Sequence, residues 1–167
     1  VARLTIGKKK YAEFENKLQS ILTQADALRN ELSQSIQLDS SAFEGVMAAY
    51  KLPKDTSEEQ EIRRKAIQQA ILLATQVPIS VANKSLRVLE LAEQIVRIGN
   101  QTALSDAATG ATLARSAITG AGYNIRINSK DLPLNLANPY LSELSGIEQH
   151  AVEIEIHLHT LLHERGL

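Results

Sequence analysis

The chain has 167 residues, no cysteine and a formal net charge of −1, a length that sets a prior of one domain able to bury roughly two-thirds of its unfolded surface. Without cysteine there are no disulfides, thiol nucleophiles or thiolate zinc sites, and the composition suits a reducing cytoplasm. Near-neutral charge removes the bulk electrostatic drive on which nonspecific nucleic-acid binding depends, so nucleic acid is not expected as a partner.

The chain opens on VARLTIGKKKY, already in helical phase and without a signal-peptide pattern. Tyr11, Phe14, Leu18, Ile21, Ala25, Leu28 and Leu32 alternate steps of three and four, which predicts a helix ending near Ser35. The oxygen-bearing run Leu38-Asp39-Ser40-Ser41 then predicts a break and a second helix to about Tyr50, with Asp39 as a helix cap by residue type. Leu52-Pro53-Lys54-Asp55 ends it.

Thr56 and Glu59 fit a capping box, with Glu58, Glu59 and Glu61 where the positive end of a helix dipole favours them. The third helix carries Ile62, Ala66, Ala70 and Leu73 inward and stops near Val77, because Pro78 suits the first turn of a fourth helix running to Ile98. The longest uncharged run, Ala66 to Asn83, is broken by Gln, Thr, Asn and Pro78, so no membrane span is expected.

Gly99-Asn100 marks the end of the fourth helix. Between Ala103 and Gly122 nearly every side chain is small, and the only charges are Asp106 and Arg115. A helix with so little amphipathic stripe should be surrounded by others at short interaxial distance, so Ser105 to Gly122 reads as the buried centre of an all-α, multihelical domain covering residues 1–167. A buried Asp106 would need a partner on another helix or a capping role beside Ser105; Arg115 is too far along the helix to touch it.

Tyr123 to Asn128 alternates apolar and polar residues, but a lone strand has no partner, so a helical or irregular extension is expected. Ser129 to Asn138 reads as a loop, and Asn138-Pro139 as the cap and first position of the last helix. That helix repeats the three-four step through Leu144, Ile147, Ala151, Ile154, Leu158 and Leu161, a seam like the first helix's, so the two could pair antiparallel or one could serve a dimer interface.

Candidate chemistry is sparse. Glu155, His159 and His163 lie four apart on one helical face, as a metal site would need, yet nothing completes the coordination sphere and a solvated face is the simpler reading; Glu153 and His157 agree with it. Lys8, Lys9 and Lys10 likewise read as a solvated run unless an anion is bound there. No nucleophile elbow or phosphate-cradling glycine loop is present.

Several stretches taken together carry more. Gly7-Lys8-Lys9-Lys10-Tyr11, Asp39 to Phe43, Leu52 to Thr56 with Glu58-Glu59, Val77-Pro78, Gly99-Asn100 with Ser105-Asp106, and Gly120-Ala121 with Asn124 to Asn128 recur in order and spacing across nearly the whole chain. In these the chain resembles the cyclodeaminase domain of formiminotransferase-cyclodeaminase and the bacterial methenyltetrahydrofolate cyclohydrolases. The resemblance implies a helical homodimer and a tetrahydrofolate substrate, with no bound cofactor or metal. It implies further that Asp39 is the catalytic carboxylate, shuttling a proton at the carbon bridging two folate nitrogens. Lys8, Lys9 and Lys10 then become a cradle for folate carboxylates, polyglutamate included, and Asn100, Asp106 and Asn124 become residues that orient the substrate. The family's pattern also has a Pro-Gly-Gly-Gly-Ser segment ahead of the helix that here starts at Val1, and none of it stands in this sequence; if that segment lines the pocket, the expected site lacks one wall. The rival reading is a non-catalytic helical dimer derived from the family, which would bind no folate.

Overall fold

The computed structural model describes residues 1–167. Two short 3-10 turns, Ala2–Leu4 and Lys9–Phe14, lead into four long helices: α1 (Glu15–Tyr50), α2 (Ser57–Ile98), α3 (Leu104–Ser129) and α4 (Leu134–Glu164). None is long and apolar enough to cross a membrane. The capping box forms as expected, with the Glu59 amide donating to Thr56 Oγ1 at 3.2 Å and the Thr56 amide donating to the Glu59 carboxylate at 3.0 Å.

Two expected breaks are absent. α1 runs straight through Ser35 to Ser41, because Ser35 and Ser40 turn their hydroxyls back onto the carbonyls of Glu31 and Ile36 instead of capping a new helix. Asp39 is therefore a mid-helix residue, not a cap. α2 runs through Pro78, whose missing N–H frees the Ala74 carbonyl one turn back. Asn128 of α3 donates to that carbonyl from Nδ2 at 3.0 Å, replacing the lost bond. The unbroken α2 carries one buried seam of alternating four and three steps, Ile71, Thr75, Pro78, Ala82, Ser85, Leu89, Ala92 and Val96. This seam fixes the phase of its first half, so Ile62 and Leu73 point outward instead of into the core.

α2 is the hub, packing against each of the other three helices. α3 sits on α2 and α4 through Ala107, Ala111, Ala114, Ile118, Ala121 and Ile125, all buried, so small side chains bring it close as expected. Its other face, with Ser105, Thr109, Leu113, Ser116 and Tyr123, is open in the single chain, so the neighbours enclose one side of it only. The stretch Tyr123 to Asn128 is helical. α4 starts at Leu134, earlier than Asn138, and takes Pro139 inside it; the Asn135 carbonyl freed by Pro139 belongs to an exposed residue, where water can satisfy it. Its seam from Leu144 to Leu158 is buried against α2 and α3, which stand between it and α1, so the first and last helices do not pair within the chain.

α1 and α3 both lie on α2 but scarcely on each other. The result is a long groove with α2 as its floor and α1 and α3 as its banks.

Candidate functional site

Going down the groove in the direction of α1, four hollows follow one another. The first, about 660 Å³, is mostly apolar and lies between Ile21, Leu32 and Ile36 of α1, Leu91 and Ile95 of α2, and Ala107 and Gly110 of α3. The second, about 260 Å³, is lined by Ile36, Asp39, Val77, Pro78, Ala121 and Asn124. A third, about 200 Å³, has one wall from the α1 stripe Asp39, Phe43, Val46 and Tyr50, with Ile71 and Ala74 beneath and Asn124, Asn128 and Asp131 opposite. Last comes a polar hollow of about 500 Å³ bounded by Lys54, Arg63, Arg64 and Asp131.

Neighbouring hollows share residues. Asp39 and Asn124 line both the second and the third, and Asp131 lines both the third and the last. Steps of four, three and four put Asp39, Phe43, Val46 and Tyr50 on one face of α1, and the same rule aligns Asn124 with Asn128 on α3. The Asp39 side chain is exposed and accepts no hydrogen bond from the chain, while Asn124 gives its amide N–H to the Gly120 carbonyl at 3.2 Å and keeps its oxygen free. Both acceptors therefore stand open to solvent or to a bound molecule.

At the far end, Arg63 donates to the Tyr50 carbonyl from Nε and Nη2, at 3.3 and 3.0 Å, and lies 5.7 Å from the centre of the Tyr50 ring. Arg64 forms a two-pronged pair with Glu61, at 2.8 and 2.7 Å. That pair, with Lys65 assisting, holds the Glu61 carboxyl down at about 2 and raises the Arg64 guanidinium above its ordinary value. Lys54 and Arg63 carry no carboxylate partner.

Among the residues singled out in the sequence, the structure brings Asp39 and Asn124 together. Lys8 and Lys9 share a small hollow with Glu15 at the start of α1, and Lys10 lies over the Tyr11 ring. Asp39 stands roughly 36 Å further along that helix, at about 1.5 Å per residue, so within one chain the lysine triplet is not at the groove's acid. Asn100 is buried between α2 and α3, where its amide N–H donates to Thr5 Oγ1 at 2.9 Å and its Nδ2 to the Leu4 carbonyl at 3.3 Å. Its hydrogen-bonding capacity is spent on joining the first turn to the end of α2. Asp106 is exposed in the first turn of α3, where the helix dipole favours it, and neither pairs with another helix nor caps. Glu155 faces Arg115 at 3.5 Å, His157, His159 and His163 are exposed, and no three potential metal ligands converge.

Sequence reasoning missed Phe43, Tyr50, Lys54, Arg63, Arg64 and Asp131. The three-four spacing from Asp39 to Tyr50 was the available signal, hidden by the expected break before Ala42.

Comparison with known proteins sharpens this. The family profile described as formiminotransferase-cyclodeaminase matches residues 1–135. A methenyltetrahydrofolate cyclohydrolase from Methylorubrum extorquens is 39% identical over 148 residues, which cover 88% of this chain and 71% of that protein. A formimidoyltransferase-cyclodeaminase from Gallus gallus is 32% identical over 132 residues, covering 79% of this chain and 24% of that protein, so the chain spans about a quarter of its length. The crystal structure of formiminotetrahydrofolate cyclodeaminase from Thermotoga maritima superposes with a TM-score of 0.86 at 25% identity, covering 98% of this chain and 78% of that one.

Proposed function

Because the chain belongs to the formiminotransferase-cyclodeaminase family and is an enzyme of folate one-carbon chemistry, we propose that it hydrolyses methenyltetrahydrofolate, with the groove around Asp39 as its active site. The cyclohydrolase relative supports this choice over cyclodeamination, since it shares more identity and is matched over most of its own length. The same residues are equipped for loss of ammonia from formiminotetrahydrofolate, which asks for the same proton transfers.

One observation carries the reading: Asp39 and Asn124 line two adjoining hollows at once. A folate has its one-carbon bridge between a pterin and an aminobenzoyl ring. With the pterin on Ile36, Val77, Pro78 and Ala121, and the benzoyl ring on Phe43, Val46 and Ile71, the bridge falls between the hollows, beside Asp39.

There, the Asp39 carboxylate favours the cationic bridge and takes a proton from water as the oxygen bonds to carbon. The free Asn124 oxygen orients that water. The adduct then collapses with cleavage of one C–N bond, and the proton on Asp39 passes to the departing nitrogen. One water enters and one proton leaves to solvent, so the step needs no resident cofactor. A positioned carboxylate contributes about 10² to 10⁴-fold to such a reaction.

This reading takes a second copy of the chain as the cover of the groove. Ile36, Phe43 and Met47 on α1 and Leu113, Tyr123 and Ile127 on α3 are all exposed in the single chain, apolar side chains on both banks that a second copy would take out of water. Light scattering should return twice the chain mass. Decay of methenyl absorbance, followed beside ammonia release from the formimino substrate, tests the activity; an Asp39→Asn protein that keeps the wild-type rate removes Asp39 from the mechanism.

A further inference from the structure

The groove does not end where the benzoyl ring would. On the folate reading above, we propose that the hollow formed by Lys54, Arg63 and Arg64 is the subsite for the carboxylates of the folate's glutamyl tail, and that the Lys8 to Lys10 run is not.

Three observations converge. The hollow adjoins the third one through Asp131, so it continues the same track. It gathers three cations against one carboxylate, and two of the three, Lys54 and Arg63, have no acidic partner. It also lies past Tyr50, roughly 16 Å along α1 from Asp39 at about 1.5 Å per residue, within reach of an extended aminobenzoyl-glutamyl chain. A row of carboxylates favours several cations held apart over one, and Arg63, already fixed by the Tyr50 carbonyl and ring, loses little freedom on binding.

The opposite direction is a poor track for anions. It leads into the large apolar hollow, whose two cations, Arg3 and Arg29, both face Asp26, at 2.5 and 3.8 Å. Carboxylates laid there would give up water for hydrocarbon. Beyond it the lysine triplet lies roughly 36 Å of helix from Asp39, at about 1.5 Å per residue.

The test compares methenyltetrahydrofolate carrying one and three glutamates, with the full chain. Lys54→Glu is the first variant, because the Lys54 ammonium makes no bond within the chain and its loss leaves the fold alone; Lys54→Gln/Arg63→Gln is the second. Each should raise KM for the triglutamate about tenfold, equivalent to one well-placed charge interaction, at unchanged kcat, and should erase the preference for the longer tail. Added salt should weaken the wild-type preference in the same sense. The Lys8→Gln/Lys9→Gln/Lys10→Gln protein should match wild type. If the triple variant loses the preference and Lys54→Glu keeps it, the substrate runs the other way and the subsite is refuted. If wild type turns over both substrates and all the variants equal it, the subsite is refuted while the folate reading stands. If wild type neither binds nor turns over any folate, the folate reading itself fails and the subsite with it.

Discussion

Two polar regions of this helical array use the same residue types to opposite ends. Where the first turn meets the end of α2, every side chain is committed: Thr5 Oγ1 accepts from the Asn100 amide, Tyr11 OH accepts from the Gln101 amide, and Arg165 reaches across to the carbonyls of Val96, Arg97 and Gly99. Gly99 is required there, because a Cβ at that position would stand 2.5 Å from the Ile95 carbonyl oxygen. Midway along the groove, by contrast, Asp39 makes no bond and Asn124 makes one, with its oxygen left open. Asn100 and Asn124 differ in neither chemistry nor helix proximity; they differ in whether the fold has already used their donors and acceptors. Polar capacity left over after folding is what distinguishes a site from a joint.

The sharpest way to separate the two regions is to remove one polar group from each. Asp39→Asn should lower kcat by about 10² to 10⁴-fold, with the unfolding midpoint in urea unchanged, because an exposed, unbonded carboxylate contributes little to the fold. Asn100→Leu should do the reverse. It leaves the Leu4 carbonyl and the Thr102 amide without their side-chain partners in a partly buried setting, and should cost about 1 to 3 kcal/mol of stability by urea denaturation. Its kcat should stay at the wild-type value. An Asn100→Leu protein that folds normally and loses turnover would collapse the distinction.

Much of this contrast was legible from sequence. The core of the α1 seam at Leu18, Ile21 and Leu28, the α4 seam from Leu144 to Leu158, the capping box at Thr56, and the close packing of the small-residue helix follow from period and residue size and are present, whereas Ala25 is exposed and Leu162 is buried in place of Leu161. The helix breaks expected between Ser35 and Ala42 and at Pro78 are absent because a local signal is overridden by side-chain bonding. A hydroxyl run ends a helix only when its side chains cap, and a proline only when nothing replaces its donor; here the Ser40 hydroxyl turns back onto the Ile36 carbonyl inside the helix, and Asn128, 50 residues downstream of Pro78, supplies the donor the proline lacks. The cost fell on the site: a break before Ala42 hides the stripe Asp39, Phe43, Val46, Tyr50, and with it the direction of the groove. Asn100 and Asn124 were equally plausible in sequence, since the partners that occupy Asn100 lie about 95 residues away along the chain.

The smallest effect tests whether Asn128, which lines the groove yet bonds to the α2 backbone, belongs with the joint or the site. It donates to the carbonyl that Pro78 leaves unpaired. Asn128→Ala should therefore cost about 1 kcal/mol, the net worth of one partly buried hydrogen bond. Pro78→Ala restores the N–H that the Ala74 carbonyl lacks, so in that background the intrahelical bond takes over and Asn128→Ala should cost close to nothing. The coupling between the two substitutions, measured from four urea curves, should come to about 1 kcal/mol. Equal costs in both backgrounds would mean that Asn128 does not stand in for the proline's missing donor, and would move it from the joint into the set of residues held ready for the substrate.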